Sequence, residues 1–235
     1  MKLALLGRGA MGQLVERLAR EAGDEVAAVL GSREAAFSAE ELAEILGGHD
    51  AAIDFSVAEA VPRHAEACLL ARVPLVEGTT GWHERLEEVR GRVERGGGAL
   101  IYGANFSVGV NLFYRVVARA AGLFHSFDYA AFVEEAHHSR KRDAPSGTAL
   151  RLRDLLGEAY GTDVPVASTR AGHIPGTHRV GFDSAADTVT LTHTARSREG
   201  FAAGALVAAR WIQGKAGVFE FSETLDEILR GGDKQ

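Results

Sequence analysis

The chain has 235 residues, of which 46% are hydrophobic and 25% charged, and its formal net charge at pH 7 is −6. This composition indicates a globular protein of one large or two small domains and excludes a disordered chain. No apolar run reaches the roughly 20 residues that cross a bilayer, and an acidic chain lacks the basic surface of a nucleic-acid binder. The single cysteine, Cys68, cannot form an internal disulfide, which fits a reducing cytoplasm. Composition leaves soluble enzymes and binding proteins, without a membrane or nucleic-acid partner.

Short apolar runs alternate with helix-like stretches over the first hundred residues. Continuous apolar runs are typical of strands buried on both faces. The predicted strands are Leu3–Leu6, Val26–Leu30, Ala51–Phe55, Leu75–Val76 and Ala99–Tyr102. The predicted helices are Met11–Glu21, Ala39–Leu46, Ala58–Ala71 and His83–Arg95. This alternation predicts a Rossmann-like α/β domain, a doubly wound parallel sheet with helices on both faces.

After Tyr102 the pattern changes, and strand-like stretches dominate. Apolar positions from about Gly109 to Phe124 follow helical spacing, and residues 188–195 alternate with a period of two, which is typical of a strand. The other elements predicted there are the strands Ala130–His137, Val166–Ala171 and His178–Phe182 and the helix Thr148–Tyr160. The tail predicts a helix (Phe201–Ile212), a strand (Val218–Phe221) and a last helix (Thr224–Arg230). We predict a Rossmann domain at 1–107 and 198–235, with an α+β domain on a four-stranded mixed sheet inserted at 108–197.

A glycine-rich loop follows the first predicted strand and opens the first helix. In G-x-G-x-x-G the glycines allow a tight turn, close approach of a pyrophosphate and helix–strand packing, and the helix start offers free N–H groups. A glycine turn without a ligand is the alternative, but the position between strand and helix favours dinucleotide binding. The residues of the motif are Gly7, Arg8, Gly9, Ala10, Met11 and Gly12.

The end of the second predicted strand bears on the choice of cofactor. The acidic residue expected about 20 residues after the glycine loop is not clearly present. Arg33 could pair with a 2′-phosphate, which favours NADPH, whereas Glu34 leaves NADH open. Arg33 as a solvated loop charge is the competing interpretation.

Two further polar loops follow the fourth and fifth predicted strands. Ligands of open parallel sheets lie outside the carboxyl ends of the strands, so both loops are expected to line the cofactor cleft. Either loop alone is also consistent with ordinary turn chemistry. The predicted cofactor contacts in these loops are Gly78, Thr79, Thr80, Gly103, Ala104, Asn105 and Phe106.

The stretch from Glu134 to Ala149 carries the strongest chemical signal. A strand ends in His137 and His138, a basic loop follows with one of only four lysines, Lys141, and Ser146 precedes a helix. The ordinary pKa of histidine is near neutrality, and Lys141 adds a fixed positive charge. Together they predict a proton donor beside an anion site. The N–H groups of Gly147 and Thr148, at a helix start capped by Ser146, would receive a carboxylate.

The same stretch argues against a metal site. Adjacent residues of a strand point to opposite faces, so His137 and His138 are poorly placed to share one ion. No carboxylate and histidine set with ligand spacing completes a site, and we predict none. A solvated basic turn and core histidines are the competing interpretations of this stretch.

Glu135 through Ala149 reads E-A-H-H-x-x-K-x-D-x-P-S-G-T-A, which resembles the signature of the dihydrodipicolinate (4-hydroxy-tetrahydrodipicolinate) reductases. The resemblance covers essentially the whole chain. It includes the Gly7 loop, Asp54–Ser56, Gly78–Gly81, Ala104–Asn111, Arg170 through His178, His193, Ser197–Arg198, Phe201 and Gly204–Ala205. Thr177 departs from the pattern, because the family usually has Glu before His178.

The resemblance implies NAD(P)H-dependent reduction of 4-hydroxy-tetrahydrodipicolinate, via dihydrodipicolinate, to tetrahydrodipicolinate in diaminopimelate and lysine synthesis. It implies that His137 is the proton donor and Lys141 the second catalytic group, which also helps to hold a carboxylate. His138, Gly147 and Thr148 match the family's contacts to the substrate carboxylates. The resemblance further implies cofactor loops at Gly7–Gly12, Gly78–Thr80 and Gly103–Phe106, a small dicarboxylate as substrate and a homotetramer, for which the inserted domain would bind substrate and mediate assembly.

Two other functions compete with this hypothesis. A semialdehyde-type dehydrogenase needs a thiol nucleophile at a strand–helix junction, whereas Cys68 lies within a predicted helix. A non-catalytic dinucleotide-sensing module would bind the cofactor but would need no pairing of His137 with Lys141. Cofactor oxidation in the presence of substrate distinguishes the sensor from the reductase.

Overall fold

The computed structural model describes residues 1–232, and residues 233–235 of the predicted 198–235 segment lie outside this range. The chain separates into two compact units. The first unit comprises residues 1–108 together with the segment from Glu199 onward, and the second unit comprises Gly109–Arg198. Among the described residues, no helix is both long enough and apolar enough to cross a bilayer.

The described residues form ten strands and eight α-helices. The strands are β1 Lys2–Leu6, β2 Glu25–Leu30, β3 Ala51–Asp54, β4 Leu75–Glu77, β5 Ala99–Tyr102, β6 Ala130–His137, β7 Val166–Arg170, β8 Thr177–Asp183, β9 Thr188–Thr194 and β10 Gly217–Glu220. The helices are α1 Ala10–Glu21, α2 Ala39–Leu46, α3 Val61–Ala71, α4 Leu86–Arg95, α5 Val108–Phe124, α6 Gly147–Tyr160, α7 Glu199–Trp211 and α8 Phe221–Gly232.

The first unit is built on a six-stranded parallel sheet in the order β10-β5-β4-β3-β1-β2. Its central strands are buried on both faces, as their continuous apolar runs predict. Leu5 and Ile53 pack with α1, α7 and α8 on one face, while Leu6 and Leu75 pack with α2, α3 and α4 on the other. The predicted Rossmann-like sheet is therefore confirmed.

Several helix boundaries differ from the sequence prediction. The predicted helix Ala58–Ala71 begins as a 3-10 turn at Ala58–Ala60, and α3 starts only at Val61. Pro62 explains this start, because proline lacks an N–H and is tolerated in the first helical turn. The last helix starts at Phe221 rather than Thr224. An additional 3-10 segment, Ser32–Ala36, follows β2.

The second unit is built on a four-stranded sheet in the order β7-β6-β8-β9. The β6–β7 pair is parallel and the other two pairs are antiparallel, so the sheet is mixed as predicted. Helices α5 and α6 pack on one face, where Val117 and Leu152 meet Val133 and Val180. On the opposite face β9 presents a row of exposed threonines: Thr188, Thr190, Thr192 and Thr194.

Candidate active site

The glycine loop of the first unit has the geometry that its sequence predicts. Gly7 has φ +100°, and a Cβ there would lie 2.3 Å from the Phe55 carbonyl oxygen. A Cβ at Gly12 would lie 2.0 Å from the Gly7 carbonyl oxygen. A Cβ at Gly9 would meet no atom within 4 Å. Gly7 and Gly12 are therefore required by the fold, whereas Gly9 faces open space.

Helix α1 begins at Ala10, directly behind this loop, with its first N–H groups available. Gly9 is the N-cap residue and supplies no side-chain cap, and the first turn holds no acidic residue. Free N–H groups and the helix dipole favour an anion at such an end. The glycine loop and α1 therefore form a cradle that fits a pyrophosphate.

A cavity of about 390 Å³ adjoins the glycine loop. Of the predicted cofactor residues, Gly7, Arg8 and Gly9 line it. Arg33 is exposed on the 3-10 segment and is not among the lining residues. The cavity is also lined by Gly31, Ser32, Glu34, Ala35, Phe55, Arg63 and His64.

The two other predicted cofactor loops lie at the same edge of the sheet, because β3, β4 and β5 are adjacent and parallel. The backbone N–H of Ser56 donates to the Thr79 hydroxyl at 3.0 Å, which ties the β3 and β4 loops together. Thr80 and Ala104 are exposed. The Phe106 side chain instead lies in the core, 4.7 Å from the Phe221 ring centre, so only its backbone is positioned to face a ligand.

Sequence reasoning missed a buried acidic group beneath these loops. Asp54 is fully buried, and its Oδ2 lies 2.6 Å from Nδ1 of His64. Glu77, also fully buried, accepts the Thr79 N–H at 2.7 Å. Burial and the nearby Asp54 carboxylate raise the pKa of Glu77 well above its usual value. Burial therefore favours the neutral form of Glu77, which holds the Gly78–Thr80 loop through the Thr79 N–H.

In the second unit, the alternation of side chains along β6 brings Glu135 and His137 together on one face of the sheet. Glu135 and His137 face the same side of the sheet as the core residue Val133. The pairing of β6 with β7 sets Arg170 opposite His137, and the pairing with β8 sets His178 opposite Glu135. Side chains from three strands therefore meet at the carboxyl end of β6.

Glu135 is ionised and fixed by two partners. Its Oε1 accepts a hydrogen bond of 2.7 Å from Arg170, and its Oε2 accepts one from Nδ1 of His137. Burial opposes the charge, but hydrogen bonds from Arg170, Ser168 and His137 outweigh it and lower the pKa of Glu135 to about 2. Arg170 also donates to the carbonyl oxygen of Asp143, which attaches the basic loop to this group.

His137 is held in one orientation with its pKa below the ordinary value. Burial lowers the pKa of His137, and the hydrogen bond and charge of Glu135 oppose that shift. The neutral ring donates Nδ1–H to Glu135, which leaves Nε2 to take up and deliver a proton. Gly176 packs against this ring, since a Cβ there would lie 3.2 Å from the His137 Nε2.

His178 lies beside this pair as a neutral, buried ring. Its Nε2 is 3.0 Å from the Ser146 hydroxyl, and its ring centre is 5.1 Å from that of His137. Burial, followed by repulsion from His137 when that ring is protonated, lowers the pKa of His178 to about 4. Thr177, which departs from the family pattern, points the other way and lies 3.2 Å from the Thr194 hydroxyl.

Three potential metal ligands therefore do come together, contrary to the expectation that no carboxylate and histidine set would form. One ligand atom from each of Glu135, His137 and His178 lies within 4.8 Å of the others. Spacing along the sequence could not reveal this set, because His178 belongs to another strand. The Glu135 carboxylate is already paired with Arg170, and that cation opposes a second positive charge.

The remaining predicted residues lie in the loop after β6 and at the start of α6. Lys141 Nζ lies 2.9 Å from Asp143 Oδ1. Ser146 caps α6 by accepting the Ala149 N–H at 3.3 Å, as predicted. Gly147 is exposed, and a Cβ there would meet no atom within 4 Å. Nδ1 of His138 is buried without a partner among residues 1–232. This group combines donors and a cation, as a carboxylate site requires.

A parallel sheet with a glycine-loop cradle, joined to a unit with a carboxylate-held histidine and a lysine, is typical of two-domain oxidoreductases that use a dinucleotide. The comparisons identify the family. The N-terminal family model of dihydrodipicolinate reductase matches residues 1–106, and the C-terminal model matches residues 109–225. The chain belongs to the dihydrodipicolinate reductase family.

Individual relatives agree with this assignment. The chain is 35% identical to the 4-hydroxy-tetrahydrodipicolinate reductase of Christiangramia forsetii over 98% of this chain and 100% of the relative. It is 38% identical to the enzyme of that name from Anaeromyxobacter dehalogenans over 77% and 73% of the two chains. The resemblance inferred from the sequence is confirmed, and the protein is an oxidoreductase of a family that acts in lysine and diaminopimelate biosynthesis.

Solved structures confirm the fold. The dipicolinate-bound dihydrodipicolinate reductase from Paenisporosarcina sp. TG-14 matches with a TM-score of 0.79 at 22% identity, over 94% of this chain and 97% of that one. A probable dehydrogenase from Thermotoga maritima matches with a TM-score of 0.61 at 9% identity, over 99% and 95%. At these identities the likeness concerns the fold alone.

Proposed function

We propose that this protein reduces 4-hydroxy-tetrahydrodipicolinate, via dihydrodipicolinate, to tetrahydrodipicolinate with a nicotinamide dinucleotide. The observation that carries the proposal is the ionised Glu135 that holds His137 in one tautomer, with Lys141 on the loop that follows. Family membership alone would also fit a chain that had lost its chemistry. A reductase needs an oriented proton donor such as His137 with Glu135, whereas a sensor that only binds the dinucleotide does not.

We assign the cofactor to the first unit and the substrate to the second. The open space at Gly9, the uncapped start of α1 and the adjoining cavity fit a dinucleotide, with Gly7–Gly12, Gly78–Thr80 and Gly103–Phe106 as its loops. A bound reduced nicotinamide supplies the hydride. NADPH is the favoured form, because arginines outnumber the single Glu34 around the cavity.

His137 and Lys141 carry the steps that belong to the protein. His137 binds a proton at Nε2, while the Glu135 carboxylate stabilises the resulting imidazolium. The substrate ring gains one hydride and then this proton, so His137 returns to its neutral form. Lys141 stabilises the negative charge that develops in the ring between these two events.

The substrate carboxylates bind the donors around the start of α6. The N–H groups of Gly147 and Thr148 are at the positive end of the helix, and Ser146 holds that end in place. His138 offers a buried ring nitrogen that has no partner among residues 1–232. These donors, with the cation Lys141, are the groups that we assign to the two carboxylates of a small dicarboxylate.

The exposed threonine face of β9 supports assembly through the second unit. A half-covered sheet favours a partner, and we propose a homotetramer on this face, with the second unit, Gly109–Arg198, as the assembly domain that the sequence predicts at 108–197. A monomeric mass in light scattering would contradict this proposal.

The single, buried Cys68 fits a cytoplasmic location. Cys68 is buried within α3, so its thiol is not placed to act as a nucleophile.

The test is oxidation of reduced cofactor in the presence of freshly generated substrate, followed by absorbance. We expect turnover in the unmodified protein and a loss of about 10²–10⁴-fold in His137→Ala. The matched control is His173→Ala, an exposed histidine of the same unit, which should be near normal. Tight dinucleotide binding without turnover in the unmodified protein would favour the sensing module instead.

A further inference from the structure

The cavity beside the glycine loop contains an arginine that the sequence motifs do not predict. Arg63 belongs to α3, 30 positions beyond Arg33, yet it lines this cavity together with Arg8. Arg33 lies three residues beyond the end of β2, but its side chain is exposed and it is not among the lining residues. The cations that face the cavity therefore come from the glycine loop and from α3.

Arg63 is fixed in place but incompletely paired. Its Nη1 donates to the Ala35 carbonyl oxygen at 2.5 Å, which holds the guanidinium against the 3-10 segment after β2. Its Nε is buried and has no partner among residues 1–232. Buried polar atoms without partners are rare in folded proteins, and a bound ion or ligand group is one explanation for such an atom. A guanidinium with free N–H groups is suited to a phosphate.

The location of Arg63 identifies which phosphate this would be. In doubly wound sheets the residues after the second strand read the ribose 2′ position, with an acid for a hydroxyl or an arginine for a 2′-phosphate. Here β2 ends at Leu30 and is followed by Gly31, which is close enough to Arg8 that a Cβ there would lie 3.5 Å from the Arg8 Cβ. Ser32 supplies a hydroxyl at the same wall of the cavity.

Among the described residues that line the cavity, the one acidic residue is Glu34, and its carboxylate already accepts a hydrogen bond. Glu34 Oε2 accepts the Gly31 N–H at 2.7 Å, so one carboxylate oxygen is already hydrogen-bonded to the loop. The two arginines leave the wall with an excess of one positive charge after Glu34 is counted. This balance favours an anionic 2′ substituent over a neutral hydroxyl.

We propose that Arg63, rather than Arg33, determines a preference for a dinucleotide with a 2′-phosphate. The inference rests on the proposed cofactor site of the first unit and specifies its ligand. Arg8 assists from the glycine loop, and Arg33 is a solvent-exposed charge. Arg63 therefore acts as a specificity-determining residue for the cofactor, without a role in the chemical step.

The experiment measures the binding of 2′,5′-ADP and 5′-AMP by titration calorimetry, because these probes differ only in the 2′-phosphate. We expect the unmodified protein to bind 2′,5′-ADP more tightly. Arg63→Met, which keeps an apolar stem of similar length, should weaken 2′,5′-ADP about tenfold to a hundredfold, as expected for a charged hydrogen bond. The same variant should leave 5′-AMP binding nearly unchanged. Arg33→Met is the matched control and should bind both probes normally.

Arg63→Lys keeps the positive charge but loses the paired N–H donors of the guanidinium, so its affinity for 2′,5′-ADP should be intermediate. This variant guards against a folding defect in Arg63→Met. Equal weakening of both probes in Arg63→Met would overturn the inference, because it would indicate only the structural contact with Ala35. Loss of discrimination in Arg33→Met would overturn it as well, and so would a preference of the unmodified protein for 5′-AMP. Arg63-dependent binding of 2′,5′-ADP without reductase activity would support the inference while the proposed reaction failed.

Discussion

Glu135 and His137 lie two residues apart on β6, and the Glu135 carboxylate accepts a hydrogen bond from His137 Nδ1 on the same face of the sheet. Arg170 holds the other carboxylate oxygen at 2.7 Å. We propose that this carboxylate both selects the tautomer of His137 and stabilises its protonated form. The pair resembles the carboxylate–histidine arrangement by which other enzymes orient a general acid or base, and it makes Glu135 a positioning residue.

Replacement of Glu135 by Gln should shift the pH dependence of the reaction. Glu135 raises the pKa of His137 by its hydrogen bond and its charge, so loss of that charge lowers the pKa of His137 further. Activity that needs protonated His137 falls as pH rises through this pKa. We therefore expect the descending limb of log kcat/KM for Glu135→Gln to move to lower pH, with reduced kcat at pH 7.

Glu134→Gln provides the control, because Glu134 pairs with the exposed Arg179 on the opposite face of the sheet. Its pH profile should match that of the unmodified protein. A Glu135→Gln enzyme with an unmoved profile and a lower rate would show that Glu135 only supports the fold.

Lys141→Ala should raise KM and lower kcat together. In the proposed reaction its charge helps to bind a carboxylate and also stabilises the charge that develops in the ring, so both the ground state and the transition state would lose an interaction. The exposed neighbour Arg142 offers a control, and Arg142→Ala should leave both constants near normal. Steady-state kinetics at saturating cofactor provide the measurement. An unchanged KM in Lys141→Ala would restrict this lysine to the chemical step.

The glycines of the cradle should separate binding from stability. Gly9→Ala places a methyl group in open space at φ −75°, so the fold should be unaffected, whereas a bound pyrophosphate would be excluded. We expect dinucleotide affinity to fall at least about tenfold, or about 1.4 kcal/mol. Gly12→Ala instead forces a methyl group against the Gly7 carbonyl oxygen and should destabilise the first unit by about 1–3 kcal/mol.

Calorimetric binding of NADPH and urea unfolding measure these two effects. Equal stability losses in the two variants would refute the distinction between the open and the packed glycine. Normal dinucleotide binding by a folded Gly9→Ala protein would argue against a pyrophosphate at this loop.

Features encoded by neighbouring residues were predictable from the sequence. The Gly7–Gly12 loop and the cap at Ser146 are each defined within a few residues, and the structure reproduces both. The period of two along β6 is also sufficient to place Glu135 and His137 on the same face of the sheet.

Features that depend on pairing between distant segments could not be predicted in this way. Arg170 and His178 reach His137 only through the register of β7 and β8 against β6, which no local pattern specifies. Arg63 reaches the segment after β2 because α3 packs beside α2, whereas Arg33 is near that strand in the sequence itself. Phe106 lies in a motif loop, yet its size and apolarity place its ring in the core.

The buried His178 should make stability depend on pH. Its pKa is about 4 in the folded protein and about 6.5 when unfolded, so the unfolded chain binds more protons between these values. Stability from this group is therefore complete above pH 6.5 and is lost as pH falls toward 4. From pH 7 to pH 5 we expect a loss of about 2 kcal/mol in the free energy of unfolding, which urea unfolding at the two pH values measures.

His178→Asn should remove most of this pH dependence, whereas His173→Asn, at an exposed position, should retain it. A dependence that persists undiminished in His178→Asn would mean that other groups, such as His193, whose pKa burial also lowers, are responsible.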